Sequence, residues 1–407
     1  MERQSLIEAL QRNLAWFRNS GVMDPADGSW GLGERIVVTQ DNEALEKTLG
    51  AFCASSPYDG YCVLEHRRAD CNFEAALLFQ EAAEFAGAEW KETAERILHY
   101  LYCRSGLLMN GAGGVPKEVW QWSHITHYLA VYFDDNAWCL LISLAMGRKD
   151  PALDQRFGMV AKAEALADRM VRAMRRTFQC YKDDDLTNWR DPDPNGWAGN
   201  LYYPHWGSLT CMALAAAYSC FPKKEYAVEI RRYIDFVDEN LKTWDVSELC
   251  YAILGAAFAA KYLGGEFYQA HLVRLGRELL ARRNPENGNF PSEHESETPV
   301  GPDKVDTIYT VNWALLAMQC LRRLTGDAIY ADAEEDLLKL LLQIQDTAPE
   351  KQFAGCWRGM YDLSTGSWGG GDRYEGGAAS IYTGWTNAPI SLAICFALRG
   401  EALTDLL

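Results

Sequence analysis

Two consecutive aspartates, Asp134 and Asp135, head an apolar run in the stretch V-Y-F-D-D-N-A-W-C-L-L-I-S-L-A-M-G, residues 131–147. Paired carboxyl groups can divide acid–base work, one giving a proton while the other takes one or attacks. Here they stand where a helix should begin, and the run behind them is apolar on nearly every face until Gly147 ends it. A helix apolar all round is a buried helix, so the acids lie at the mouth of an element that is otherwise core. A plainer role is also open to them, because aspartate caps a helix start and suits its dipole. Adjacent helical positions diverge by roughly 100°. Both acids therefore face one substrate only if the first lies in the turn before the helix.

Other residues able to do chemistry stand at similar places. His205-Trp206 precedes the run G-S-L-T-C-M-A-L-A-A-A-Y. Asp306 closes a loop carrying Glu293, Glu295 and Glu297 and opens T-I-Y-T-V-N-W-A-L-L-A-M-Q-C-L. The three glutamates read as a solvated run. The densest group is Trp357, Arg358, Tyr361, Trp368, Asp372, Arg373, Tyr374, Glu375, Tyr382 and Trp385, set among glycines, and it reads as a binding lid. Asp70 with Glu74, and Asp245 with Glu248, read as helix caps, the second pair having capping-box spacing. His124 and His127 form H-x-x-H without a fixed third ligand, so neither a metal nor another cofactor is expected.

The elements that position these residues repeat along the chain. Six apolar helices are expected, starting near 71, 135, 207, 247, 307 and 387. Amphipathic partners are expected at 89–103, 155–178, 225–241, 266–283 and 328–345, with a first helix at 3–18 and a further helical stretch at 43–54. Six buried helices ringed by six half-exposed ones give an all-α, closed (α/α)6 toroid, a single domain over residues 1–407. Loops entering the inner helices are long and hold nearly all the unusual residues, whereas Gly87–Ala88 and Gly264–Gly265 are short connections. That asymmetry marks one face as functional.

Composition narrows the class. The 407 residues are 48% hydrophobic and 23% charged, with a net charge of −17. Such an acidic chain argues against nucleic acid or anionic membrane as partner. No apolar stretch reaches the ~18 residues needed to span a bilayer. The twelve cysteines are scattered, with no C-x-x-C pair, and several lie in apolar runs. They read as reduced thiols of a cytosolic protein without a signal peptide. Rings, carboxyl groups and glycines on one face suit a sugar, whose C–H faces stack on rings and whose hydroxyls bond to acids; glycosidic hydrolysis usually needs two carboxyl groups.

The helical plan resembles the six-hairpin glycosidase superfamily. The stretch Tyr132-Phe-Asp134-Asp135-Asn-Ala-Trp138 resembles the paired-aspartate motif of the family 76 α-mannanases. That resemblance implies Asp134 as nucleophile and Asp135 as acid/base. The plan is also similar to that of the unsaturated uronyl hydrolases, which share the toroid and use an aspartate to protonate a vinyl ether. The expectation is an exo-acting glycoside hydrolase on oligosaccharides, with His205, Trp206, Asp306, Trp357, Arg358, Arg373, Tyr374, Glu375, Tyr382 and Trp385 binding substrate. Arg358 and Arg373 would favour a uronate, which wants a bidentate guanidinium. A sugar epimerase, or a non-catalytic carbohydrate-binding protein, are the other expectations.

Overall fold

The computed structural model describes residues 2–38, 55–111, 117–123, 131–181, 197–293, 301–370 and 376–407. The six apolar runs form helices α2 (Ala69–Ala86), α4 (Phe133–Lys149), α7 (Pro204–Cys220), α9 (Val246–Tyr262), α11 (Val311–Thr325) and α13 (Ala388–Arg399). Each packs on the next, α2 on α4, α4 on α7, α7 on α9, α9 on α11 and α11 on α13, and α13 closes the ring against α2. Burial follows composition, since every residue from Phe133 to Gly147 is buried in α4. The fold is the expected (α/α)6 toroid.

The outer ring is amphipathic. Helix α3 (Glu89–His99) backs α2, α6 (Met159–Tyr181) backs α4, α8 (Lys224–Glu239) backs α7, α10 (Glu266–Leu280) backs α9 and α12 (Ala328–Ile344) backs α11. The sixth place falls to α1 (Arg3–Asn19), which packs on α13 and α2 with Leu6, Leu10, Leu14 and Phe17 inward. The first helix of the chain thus pairs with the last.

Three local expectations change. Gly147 does not end α4, which runs on to Lys149, and Gly147 instead lets Met159 and Val160 approach, since a Cβ there would lie 3.1 Å from each. The partner helix expected at 155–178 is broken, with α5 (Pro151–Phe157) capped by Asp150 and stopped by the left-handed Gly158. The loop expected at 55–69 contains a hairpin, β2 (Ser55–Tyr58) and β3 (Tyr61–Leu64), and β3 pairs with β1 (Arg35–Val37). The helix expected at 43–54 lies outside the described residues.

The inner helices α7 and α9 approach closely at Gly255, where a Cβ would stand 2.6 Å from the Ser208 carbonyl oxygen. A backbone atom cannot swing away as a side chain can. Gly255→Ala should therefore cost about 1–3 kcal/mol through overpacking. A lower urea midpoint with an unchanged slope is the expected result; an unchanged midpoint would mean that the two helices can part without cost.

Candidate active site

The starts of the inner helices converge. Asp134 and Asp135 are the second and third residues of α4, and each meets a different neighbour in the ring. Asp134 Oδ2 lies 3.0 Å from Nε2 of His205, the second residue of α7. Asp135 Oδ1 accepts from Arg68 Nη2 at 2.7 Å, just before α2. Both acids are buried, at 5% and 1% exposure. Asn136 clamps the same turn, exchanging hydrogen bonds with Trp120 N at 2.8 Å and Trp120 O at 2.9 Å.

Arg68 is the hub on the α2 side. Its guanidinium grips Asp70 with two bonds, Nε to Oδ1 at 3.1 Å and Nη2 to Oδ2 at 2.7 Å. It also reaches Asp135 and, through Nη1, Glu34 Oε1 at 3.2 Å. One nitrogen, Nη2, thus serves both Asp70 and Asp135. Two carboxylates so close repel each other, which favours a proton on one of them. Burial first, and then the charge of Asp70, push the Asp135 carboxyl well above the usual range, with Arg68 opposing. Burial works against the charge of Glu34, but the guanidinium groups of Arg35 and Arg68 hold it below its usual value. Burial pushes His66 down to about 4, leaving a neutral ring edge-on to Trp122.

Beneath this cluster lies Trp385, with φ at +42°, a region that non-glycine residues rarely adopt. Its surroundings hold it there. Its backbone N–H donates to Glu74 Oε2 at 2.8 Å, its indole N–H donates to Asp70 Oδ2 at 2.6 Å, and its carbonyl accepts from Asn312 Nδ2. The preceding Gly384 has to be glycine, since a Cβ would meet Glu74 Oε2 and the Cys71 backbone within 2.7 Å. Burial, reinforced by Asp70, raises the Glu74 carboxyl well above its ordinary range.

On the other side, His205 is sandwiched between Trp206 and Tyr251, each with ring centroids 4.8 Å away and planes 6° and 20° from parallel. Burial alone would lower its pKa, but the hydrogen bond and charge of Asp134, with Glu248 beyond, raise it on balance. The backbone N–H of His205 donates to Glu248 Oε2 at 2.7 Å. Burial raises Glu248 to about 7. Half-exposed rings of Trp122, Tyr132, Trp206 and Tyr309 stand at the mouth.

The expected site residues divide accordingly. The structure brings together Asp134, Asp135, His205, Trp206 and Trp385. Tyr382 is buried, with its hydroxyl bonded to Arg35, which flanks Glu34. Asp306 turns its carboxyl to the backbone N–H groups of Ile308 and Tyr309 at 2.8 and 3.1 Å, holding the turn before α11. Trp357 is fully buried, with its indole N–H on Leu341 O of α12. Arg358 donates to Ala378 O at 2.8 Å and lies 3.7 Å from Asp346. Trp357 and Arg358 thus serve packing of the loop, which is tied to α1 where the Trp16 indole N–H donates to Gln352 O. Arg373, Tyr374, Glu375, His124, His127, Glu295 and Glu297 lie outside the described residues. Glu293 is not merely solvated, since it takes Val246 N–H at the start of α9.

Sequence reasoning missed Arg68 as a hub, and it read Asp70, Glu74 and Glu248 as caps. Asp245 does cap α9, taking Glu248 N–H at 2.8 Å, but Glu248 turns to His205 instead of returning the bond. Among the described residues no group of three His, Cys, Asp or Glu side chains is placed to hold a metal. None of their helices is long and apolar enough to cross a membrane.

The chain shares its (α/α)6 fold with solved structures of sugar epimerases and glycoside hydrolases. No protein-family model matches it, and no curated protein sequence does. Among solved structures it is similar to a sugar epimerase from a ruminal bacterium, at TM-score 0.61 and 10% identity over 98% of this chain and 99% of that one. An unsaturated glucuronyl hydrolase specific for heparin matches at TM-score 0.57 and 10% identity, over 99% and 100%. A glycoside hydrolase family 76 mannosidase from Bacteroides thetaiotaomicron matches at 0.53 and 10%, over 97% and 100%. Identities this low carry the fold and no activity.

Removing Arg68 would leave buried acids facing one another without a cation. Arg68→Met should destabilise the protein by about 3–5 kcal/mol. Arg68→Lys should recover only part of that, because an ammonium cannot fork between Asp70 and Asp135. Urea denaturation of both variants checks this; equal stability of the methionine variant and wild type would remove Arg68 from its place as hub.

Proposed function

We propose that this chain is a glycoside hydrolase acting on oligosaccharides, exo in mode, with Asp135 delivering the proton and Asp134 attacking or steadying the sugar carbon. One observation carries the reading. Two consecutive carboxyl groups at a single helix start lie in opposed environments, Asp135 buried beside Asp70 and pushed up by burial and by that neighbour, and Asp134 bonded to a histidine whose pKa is raised. That division suits an acid and a nucleophile. It also agrees with the roles that the paired-aspartate resemblance implies.

The uronic-acid alternative needs an open guanidinium fork. Arg68 faces Glu34, Asp70 and Asp135, and Arg358 faces Asp346, so neither of these two offers one, whereas Arg373 lies outside the described residues. A cytosolic setting is supported by the ten described cysteines, all free thiols. Closure of the inner ring by α13 against α2, with α1 packed on both, supports one toroidal domain. A second reading, sugar epimerisation, is favoured by the Asp134–His205 pair and by the similar epimerase structures, because a histidine near neutrality can move a proton on and off carbon.

The test is hydrolysis of a panel of aryl glycosides and uronic-acid disaccharides by wild type, Asp134→Asn and Asp135→Asn. Activity on one substrate should fall by ~10²-fold or more in each variant. Full activity in both would overturn the assignment. Incubating hexoses in heavy water separates the second reading, since epimerisation by proton transfer at C2 exchanges deuterium into that carbon and hydrolysis does not.

The acid role also fixes a pH dependence. Asp135 works protonated, and its pKa is raised in the folded protein. Activity should therefore persist well above the ordinary aspartate range and fall as pH rises through the raised value. In Asp135→Asn that alkaline limb should vanish from the residual kcat/KM profile. A limb unchanged in the variant would assign it to another group.

A further inference from the structure

Glu248 has a freedom that its place at a helix start does not require. The first turn of α9 is served without its carboxyl group: Asp245 takes Glu248 N–H at 2.8 Å, and Glu293 takes Val246 N–H at 3.0 Å. The Glu248 side chain instead crosses to α7, where Oε2 accepts His205 N–H at 2.7 Å. That bond fixes the carboxyl group. Its other oxygen takes no hydrogen bond from a described residue, and the side chain is partly exposed.

The surroundings suit a sugar ring. Next to the carboxyl group is the parallel stack of His205 and Trp206, with Trp206 half-exposed, and Tyr251 backs His205 from one turn further along α9. The charged groups around Glu248 are His205 of α7, Asp134 of α4 and Asp245 of its own helix. Glu248 and Asp134 therefore both bond to His205, one to its backbone N–H and the other to its ring. A carboxyl group fixed by one oxygen and open at the other, beside a flat aromatic face, is the arrangement that reads a hydroxyl on a stacked sugar.

We propose that Glu248 is a specificity-determining residue, binding a sugar hydroxyl near the reacting carbon while the sugar's C–H face rests on Trp206. This rests on the carbohydrate reading of the site but not on hydrolysis. With its pKa at about 7, the group can accept from a hydroxyl or donate to one in the neutral range.

The experiment measures binding, so it needs no turnover. D-mannose, D-glucose and their monodeoxy analogues would be titrated calorimetrically into wild type, Glu248→Ala and Glu248→Gln, the last keeping an oxygen for His205 N–H. Wild type should bind a hexose, and Glu248→Ala should weaken it roughly tenfold or more. One deoxy analogue should bind wild type and variant equally, since the hydroxyl and its partner are then lost together. If the alanine variant does not fold, Glu248→Leu, which removes both oxygens at similar length, reads the same coupling. Equal weakening for every analogue, no weakening at all, or no binding of any hexose by wild type would each overturn the proposal. Coupling at one hydroxyl in a protein that hydrolyses no glycoside would keep Glu248 in this role and remove the hydrolase reading.

Discussion

The structure of the mouth depends on one guanidinium. Arg68 stands just outside α2 and binds carboxyl groups from three places in the chain, Glu34 after the first loop, Asp70 in its own helix and Asp135 in the next. Without it the acids would repel and carry water into the centre of the ring. With it, they are held close enough to push protons onto one another. Electrostatics in a dry site is strong in both directions, so the group that holds the acids together also sets how far their acidity moves. Trp385 is coupled to the same hub through Asp70, and its strained backbone is the local cost of bringing an indole N–H to that carboxyl group.

The ring supplies a second, diffuse source of positive potential. Asp134, His205 and Glu248 all lie in first turns of inner helices, and those turns face one another. Unpaired N–H groups at a helix start favour negative charge nearby. Several such starts aimed at one place explain how a chain can tolerate Glu34, Asp70, Glu74, Asp134, Asp135 and Glu248 around one mouth. They also explain why the acids there belong to helix starts rather than to loops alone.

Much of this was legible in the sequence. The apolar runs located the inner helices to within a few residues, because a helix buried on every face leaves few polar residues to confuse its limits. The paired aspartates were legible as buried acids at a helix start for the same reason, being charges at the edge of core. The roughly 100° between neighbouring helical positions is visible in them: both lie inside α4 and not in the turn before it, and Asp134 turns to α7 while Asp135 turns to α2. Arg68 was not legible as a hub, since its partners at 34 and 135 are brought to it only by ring closure. Trp357 misled because a tryptophan among glycines has the same local pattern whether its indole faces a ligand or, as here, a helix carbonyl. The capping-box spacing of Asp245 and Glu248 was real for one partner, and only the neighbouring helix drew the other away.

The pairing of the first helix with the last has a consequence for how the protein is made. Asp70 meets the Trp385 indole across 315 residues of sequence, and Asn13 meets Asn387 across 374. Contacts so distant form late, because a long loop must close before they reward it. During synthesis Arg68, Asp70 and Asp135 leave the ribosome long before their floor does. A nascent chain can assemble most of its helical hairpins while the acidic centre still lacks Trp385 and the seam between α13 and α2 is open. The site is thus finished only when the ring is.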